Sequence, residues 1–146
     1  LRNSSAASDV YKRQLPTRGS EYAAGWDLYA LEDTVVPFRK SVKLRTGIIV
    51  AIPDGYEGQV RARSSLGSKG LILPHSIGTI DSDYRGELFV LMTWIGEGDS
   101  YTVRAGERIA QLLISPIPEV RFDEVSVEDL GDTKRGAGGF GSTGRF

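Results

Sequence analysis

A guanidinium and two hydroxyl groups follow one another at Arg63-Ser64-Ser65. Polar and apolar residues alternate just before them, so we expect these three residues where a strand runs into a short helical turn. Arginine, hydroxyl and backbone N–H donors at such a junction are suited to phosphate oxygens. Serine pairs also begin many helices that bind nothing, so both interpretations stay open here.

A second cluster runs from Gly78 to Glu87 (GTIDSDYRGE) and lies between two predicted strands. It combines Asp81, Asp83 and Glu87 with a tyrosine and an arginine. These residues could form a polar site, but a charged, solvated hairpin would have a similar composition.

The glycine-rich end of the chain carries cationic groups and one aromatic ring, at Lys134-Arg135 and Phe140. It is either a disordered terminus or a lid that folds over a ligand, stacks Phe140 and directs Arg135 at negative charge. Residues 136–141 match G-x-G-x-x-G, but that motif needs a preceding strand and a following helix, and we expect neither here. Ser142 stands where a P-loop needs lysine, so both nucleotide motifs are disfavoured.

Histidine and cysteine chemistry is limited by composition. His75 is the single histidine, no G-x-S-x-G sequence presents a serine nucleophile, and cysteine is absent. A lone histidine next to Pro74 is more often a surface or packing residue than a base. The absence of cysteine excludes thiol nucleophiles and zinc ribbons, and it fits a cytoplasmic protein.

Length and charge indicate one globular domain without a polyanionic or membrane partner. The chain has 146 residues, a net charge of −1 and 25% charged residues. It has no apolar run of transmembrane length and no signal-peptide pattern. Residues 1–14 are polar and aperiodic, and we interpret them as a foreign or disordered leader.

Short apolar or alternating segments separated by turn signals predict an all-β sandwich, barrel or jelly roll. The turn signals include Pro53-Asp54-Gly55 and Gly96-Glu97-Gly98-Asp99. The predicted strands are 44–52, 59–63, 87–95, 101–103, 109–114 and a short one around Val120 and Phe122. The best helical candidate is one turn after Ser64-Ser65.

In this order, five segments of the chain resemble the five motifs of the trimeric dUTPase family, from Leu15 to Gly144. The segments are Ala24–Ala30 (AGWDLYA), Arg63–Gly67 (RSSLG), Gly78–Glu87, Gly106–Leu112 (GERIAQL) and Arg135–Gly144 (RGAGGFGSTG). Any one of them would be a weak signal, but five in order are a strong one.

The resemblance implies a jelly-roll-like all-β domain in a homotrimer. It also implies Mg²⁺-dependent hydrolysis of dUTP to dUMP and pyrophosphate, which limits uracil in DNA and supplies dUMP for dTMP synthesis. Each active site would lie between subunits. We expect a leader at residues 1–14, a β domain at 15–130 and a flexible lid at 131–146.

The resemblance also implies roles for individual residues. Asp81 would lie by the deoxyribose and orient or activate the attacking water, and Asp27 would reach Mg²⁺ through coordinated water. Tyr84 would pack under the sugar and leave no room for a 2′-hydroxyl. The remaining implied substrate contacts are phosphate contacts at Arg63, Ser64, Ser65 and Gln111, uracil contacts at His75, Gly78, Thr79 and Ile80, and lid contacts at Arg135, Phe140 and Gly141.

The chain departs from the family pattern in three places. His75 replaces an asparagine that many bacterial relatives carry near uracil. Ser65 stands where glycine is frequent, and the leader replaces the first strand.

Two alternative functions share the implied fold. A dCTP deaminase, in its simple or bifunctional form, needs a glutamate base and a different segment after Ile80-Asp81. A non-catalytic dUTP-sensing regulator would not need Asp27, Asp81 and Arg135 intact. The sequence favours the hydrolase over both.

Overall fold

The structure is a computed structural model that describes residues 13–146. Most of the expected leader, residues 1–12, lies outside the described residues. Arg13 and Gln14 lie beside the β domain. Side-chain atoms of the two residues are 3.3 Å from the positions that a Cβ would take at Gly47 and Gly106, respectively.

Strands dominate the described part of the chain, which confirms the all-β prediction. The strands are β1 (Trp26–Tyr29), β2 (Thr34–Pro37), β3 (Ser41–Arg45), β4 (Tyr56–Ala62), β5 (Leu71–Ile72), β6 (Gly78–Ile80), β7 (Phe89–Trp94), β8 (Ser100–Val103) and β9 (Arg108–Pro116). One helical turn, α1 (Ser64–Gly67), follows β4, and a 3₁₀ helix spans Val127–Leu130.

The strands form three antiparallel sheets. The largest has the order β1-β9-β4-β6, a second pairs β3-β7-β5, and a third pairs β2 with β8. Four of the five motif segments lie on the large sheet or on the turns next to it, so this sheet positions the candidate site.

The core is filled by alternate residues of these strands, as the two-residue period of a strand requires. Val90 and Met92 of β7 are fully buried, and they pack in the same cluster as Leu28, Leu44 and Ile109. Burying an aliphatic side chain of this size stabilises the fold by about 1.5–3 kcal/mol. The sheets are therefore held together by contacts between residues that are far apart in sequence.

The predicted strand over 44–52 ends early, at Arg45. The Thr46 hydroxyl donates a 2.6 Å hydrogen bond to the Leu88 carbonyl, and Gly47 adopts a φ of 71°. This left-handed backbone interrupts the pleat, so the following residues leave the strand. The expected strand around Val120 and Phe122 is not formed within the chain either: both residues are exposed and lie outside any strand.

The helical turn after β4 was predicted with a serine as its N-cap. In the structure Arg63 takes the cap position, in an extended conformation, and the helix begins at Ser64. The cap makes no side-chain hydrogen bond. The arginine is thereby the residue that turns the chain at this junction.

Candidate active site

Pairing in the large sheet brings together residues from two motif segments, next to the strand that leads into a third. Asp27 of β1 lies opposite Gln111 of β9, which lies opposite Arg61 of β4. Across neighbouring antiparallel strands, directly opposed residues point to the same face. The sheet register therefore places Asp27 and Gln111 side by side, although they are far apart in sequence.

Asp27 is a buried carboxylate between two guanidinium groups. Its Oδ1 is 4.0 Å from Arg63 Nε, and its Oδ2 is 3.7 Å from Arg108 Nη1. These are ion-pair distances, and they are too long for good hydrogen bonds. Oδ1 accepts no hydrogen bond within the described part of the chain.

Arg63 is anchored, and the two serines after it are open. The Arg63 Nη1 donates a 2.8 Å hydrogen bond to the carbonyl of Arg108. Ser64 and Ser65 are exposed, and within residues 13–146 their hydroxyls have no hydrogen-bond partner. The junction thus combines a fixed guanidinium with two hydroxyls that have no hydrogen-bond partner among the described residues.

Gln111 lies close against Gly25 of the first motif. A Cβ at position 25 would be 3.1 Å from the Gln111 Cβ and 3.2 Å from its Oε1. Glycine at this position therefore leaves the space in which the Gln111 amide lies beside Asp27.

Arg108 belongs to this cluster, and sequence reasoning missed it as a site residue. Strict alternation would place it on the core side, with the buried residues Ala110 and Leu112. The pairing of β1 with β9 shifts register between Leu28 and Tyr29, so that Tyr29 faces Arg108. A bulge of this kind redirects the side chain, and here it leads to the ion pair with Asp27.

The turn before Arg108 is held by two carboxylates. Asp33 accepts hydrogen bonds from the Ala105 N–H and the Arg104 guanidinium, and these bonds lower the pKa of Asp33. Glu107 accepts hydrogen bonds from the Tyr101 hydroxyl and the Arg104 N–H. Burial, together with the Glu107 carboxylate, raises the pKa of Tyr101 to about 12. The backbone that presents Arg108 is therefore well fixed.

A separate pocket of about 280 Å³ surrounds the second cluster. It is lined by Lys43, Thr79, Ile80, Asp81, Tyr84, Glu87 and Phe89. Asp81 follows β6 directly, its side chain is exposed, and its carbonyl accepts a 3.1 Å hydrogen bond from the Tyr84 N–H. This turn places the carboxylate and the tyrosine ring at one opening.

The third acid of this segment, Glu87, has structural partners. Its carboxylate accepts a 2.8 Å hydrogen bond from the Gly47 N–H and bonds of 3.3 Å from the Arg45 Nε. These contacts hold the base of the hairpin to β3. Asp83, by contrast, is exposed at the turn.

The residues before Asp81 form an edge strand. β6 pairs with β4 through Gly78 and Ile80, and it is the last strand of its sheet. Its outer edge leaves backbone donors and acceptors open beside Thr79. His75 lies in the turn before β6, with its Nε2 3.2 Å from where a Cβ would lie at Gly78.

The two clusters lie at opposite ends of β4. Ile80 pairs with Gly58 near the start of that strand, whereas Arg63 follows its end. At ~3.3 Å per residue, Gly58 and Arg63 are about 17 Å apart along the chain, and Asp81 lies further beyond. A single chain therefore does not bring Asp81 to Asp27 and Arg63.

The C-terminal tail makes no described hydrogen bond to either cluster. Arg135 donates a 2.8 Å hydrogen bond from its Nε to the Gly138 carbonyl, and Phe140 and Gly141 are exposed. Each backbone hydrogen bond described for residues 131–146 stays within the tail. The predicted lid residues are thus not brought to the site within one chain.

Within the described residues, the acidic side chains do not form a metal cage. Among residues 13–146 no group of three or more histidine, cysteine or acidic side chains could hold an ion. The buried Oδ1 of Asp27 is nevertheless without a hydrogen bond from the described residues, so it suits an ion that is held mainly by a bound ligand and keeps its water.

None of the helices among residues 13–146 has the length and apolar character needed to cross a membrane.

Comparison with known proteins gives consistent results. The family model for dUTPase matches residues 12–144. A deoxyuridine 5'-triphosphate nucleotidohydrolase of Zymomonas mobilis is 47% identical over 130 residues, which cover 88% of this chain and 87% of that protein. One of Wolbachia pipientis is 45% identical over 135 residues, which cover 90% and 87%.

Solved structures are similar at lower identity. A mutant dUTPase of Staphylococcus bacteriophage 80alpha, solved with dUpNHpp, has a TM-score of 0.79 and 29% identity and covers 92% of this chain and 94% of that one. A mutant dUTPase of phage phi11 of S. aureus, described with a structural Mg(II) ion, has a TM-score of 0.71 and 25% identity. It covers 78% of this chain and 90% of that one.

Proposed function

The chain belongs to the dUTPase family and hydrolyses dUTP to dUMP and pyrophosphate, and from this premise we propose how its residues divide that reaction. The reaction removes dUTP from the nucleotide pool and supplies dUMP. The observation that carries the proposal is the separation of Asp81 and Tyr84 from Asp27 and Arg63 at opposite ends of β4.

The cluster around Arg63 binds the triphosphate. Arg63 provides a fixed positive charge, and the exposed hydroxyls of Ser64 and Ser65 and the Gln111 amide provide further donors. Charge-assisted hydrogen bonds to phosphate are about twice as strong as neutral ones. With one carboxylate facing two guanidiniums, the cluster retains positive charge for an anionic ligand.

Asp27 faces the magnesium ion. Its buried Oδ1, which accepts no hydrogen bond from the described residues, would accept hydrogen bonds from water on an Mg²⁺ ion held mainly by the triphosphate. When bound, Mg²⁺ neutralises charge on the triphosphate and favours its in-line geometry.

Asp81 orients and deprotonates the attacking water. Its exposed carboxylate stands at the mouth of the pocket that Tyr84 also lines. The water oxygen attacks the α-phosphorus, Asp81 takes the proton, and the bond to the bridging oxygen breaks so that pyrophosphate leaves. Positioning of the reacting groups and neutralisation of charge provide most of the rate acceleration.

The hairpin from His75 to Ile80 recognises the uracil base. The open backbone edge of β6, beside Thr79, can pair with the polar edge of the base, and His75 and Gly78 lie next to it. Tyr84 packs under the deoxyribose. A closely fitted edge also leaves no space for the methyl group of thymine.

A homotrimer joins the two halves of the site. Asp81 of one subunit would meet Asp27 and Arg63 of another, because one chain keeps them apart. Exposed apolar residues at Ile117, Val120 and Phe122 support contact with neighbouring subunits. So does an apolar pocket of about 280 Å³ lined by Pro16, Trp26, Val50, Ala51, Ile52, Pro53, Leu112 and Ile114.

The tail closes the assembled site. Phe140 would stack on uracil, Arg135 would bind the terminal phosphates, and Gly141 would let the backbone approach the nucleotide. All three residues are exposed, so the tail can adopt this arrangement without disturbing the core.

We place the enzyme in the cytoplasm, where a chain without cysteine is compatible with the reducing conditions.

Mixing two inactive variants tests the shared site. Asp81→Asn and Arg63→Gln are each expected to be inactive as pure proteins. After unfolding and refolding together in equal amounts, about a quarter of the sites in random trimers would combine an intact Asp81 with an intact Arg63. The rate of pyrophosphate release from dUTP should recover to about a quarter of the rate of the unsubstituted enzyme. No recovery in mixed trimers would contradict the proposed division of the site.

A further inference from the structure

The two guanidiniums that face Asp27 are held in different ways. Arg63 is fixed by its 2.8 Å hydrogen bond to the Arg108 carbonyl, and its side chain is 22% exposed. The Arg108 side chain is 50% exposed, and within residues 13–146 Asp27 is its one partner. Of the two cations, Arg108 is therefore the one that can leave the carboxylate.

The two guanidiniums balance the charge of the Asp27 carboxylate, but they do not fill its capacity to accept hydrogen bonds. Its side chain is 7% exposed, its nearest cationic atoms are 3.7 and 4.0 Å away, and Oδ1 accepts no hydrogen bond from the described residues. A buried acceptor without a partner is unfavourable, so the site favours any group that completes it. Water on a divalent cation is such a group.

We propose that Arg108 is an exchangeable counter-ion in the phosphate subsite. In the free protein its guanidinium neutralises Asp27. When a hydrated divalent cation takes over Asp27, the Arg108 guanidinium turns to the triphosphate. This inference rests on the proposed function, in which Asp27 faces the cation.

The backbone around Arg108 permits this exchange without rearrangement. The bulge opposite Tyr29 directs the side chain toward Asp27, and the hydrogen bonds of Asp33 and Glu107 hold the preceding turn. The Arg108 carbonyl keeps Arg63 in place whichever way the Arg108 side chain points. Only the half-exposed side chain has to move.

Two binding measurements on Arg108→Gln test the proposal. The first is the affinity of a non-hydrolysable imido analogue of dUTP at saturating Mg²⁺, the condition in which Arg108 turns to the triphosphate, measured by calorimetry. It should fall because a phosphate partner is lost. The second is the affinity of Mn²⁺ for the analogue-saturated protein, measured by electron paramagnetic resonance. This affinity should rise because the cation no longer competes with the Arg108 guanidinium for Asp27. We expect each affinity to change roughly two- to fivefold, in opposite directions, which is the scale of a half-exposed ion pair.

Arg104→Gln is the matched control. It removes the same charge from the same turn, but Arg104 pairs with Asp33 at 3.2 Å and does not face Asp27. Both affinities should stay unchanged. If Arg108→Gln weakens both affinities, its role is only structural and the proposal is wrong; if it changes neither, the proposal is also wrong.

Arg108→Lys covers the case in which the glutamine variant does not fold. Lysine keeps the charge but lacks the planar fork, so it should pair less well with Asp27. Mn²⁺ affinity for the analogue complex should then rise roughly two- to threefold. An unchanged affinity in a folded Arg108→Lys protein would overturn the proposal.

Asp27→Asn separates this inference from the function on which it rests. If Asp27 faces the cation, this variant binds Mn²⁺ more weakly than the unsubstituted analogue complex does. Unchanged Mn²⁺ binding in Asp27→Asn would remove Asp27 from the metal site and overturn both ideas. Weakened binding there, with no effect of Arg108→Gln, would overturn the counter-ion alone.

Discussion

The Tyr84 hydroxyl donates a 2.8 Å hydrogen bond to the backbone carbonyl of Glu87, which folds the phenol ring back across Gly86. A Cβ at position 86 would lie 2.6 Å from the Tyr84 Cζ, so only glycine leaves room for the ring. Glu87 is itself held by Gly47 and Arg45. The ring that lines the Asp81 pocket is thus tied through Glu87 to the end of β3 and to Gly47.

A ring held so firmly should exclude a 2′-hydroxyl. We expect UTP to be a very poor substrate and Tyr84→Ala to narrow the ratio of kcat/KM for dUTP over UTP by at least about tenfold. Tyr84→Phe keeps the ring and should keep most of the discrimination. The ratio is measured by pyrophosphate release with each nucleotide. If Tyr84→Ala leaves it unchanged, the sugar is selected elsewhere.

Asp81 is expected to supply the base. Asp81→Asn keeps the shape and removes the charge, so turnover should fall at least about a hundredfold, the scale of a lost general base. Binding of the imido analogue should persist. Asp83→Asn, which alters an exposed acid of the same turn, should keep near-normal turnover. Near-normal turnover in Asp81→Asn would remove this residue from the chemistry.

Glu87 should matter for stability. Glu87→Ala leaves the Gly47 N–H and the Arg45 guanidinium without this acceptor, so the free energy of unfolding should fall by about 1–3 kcal/mol. Asp83→Ala, at an exposed position, should change it by less than about 0.5 kcal/mol. Urea denaturation followed by tryptophan fluorescence measures both. Equal effects would mean that the contacts of Glu87 contribute little.

The tail should be needed for catalysis and dispensable for folding. A chain that ends at Lys134 keeps every core residue and should remain folded. It should lose most of its turnover, because Arg135 and Phe140 can no longer close over the nucleotide. Activity and thermal melting of the truncated protein test this, and full activity would refute the lid.

Protection from protease is an independent test of the same closure. Ordering a glycine-rich tail costs about 1–2 kcal/mol of backbone entropy per residue, which contacts with the ligand must offset. Trypsin should cut after Lys134 or Arg135 in the free enzyme and much more slowly with the imido analogue and Mg²⁺. Equal cleavage rates would argue against an ordered lid.

Local patterns determined much of what could be predicted. Alternation and turn residues identified the strands that became β4, β7, β8 and β9, because side-chain burial on a pleat and glycine turns are properties of neighbouring residues. The order of the five motifs identified the family. The same local logic failed after Arg45, since the break at Gly47 depends on a contact between Thr46 and Leu88.

Only the tertiary structure decided how the candidate residues are distributed. Arg108 reaches Asp27 because a bulge shifts the pairing of β9 with β1, and no alternation pattern in β9 reveals that shift. Likewise, the pairing of Ile80 with Gly58 sends Asp81 away from Arg63. Sequence determined which chemical groups are present and which segments become strands. Register between strands that are distant in the chain determined which groups meet, because that register depends on packing and hydrogen bonds across the whole sheet.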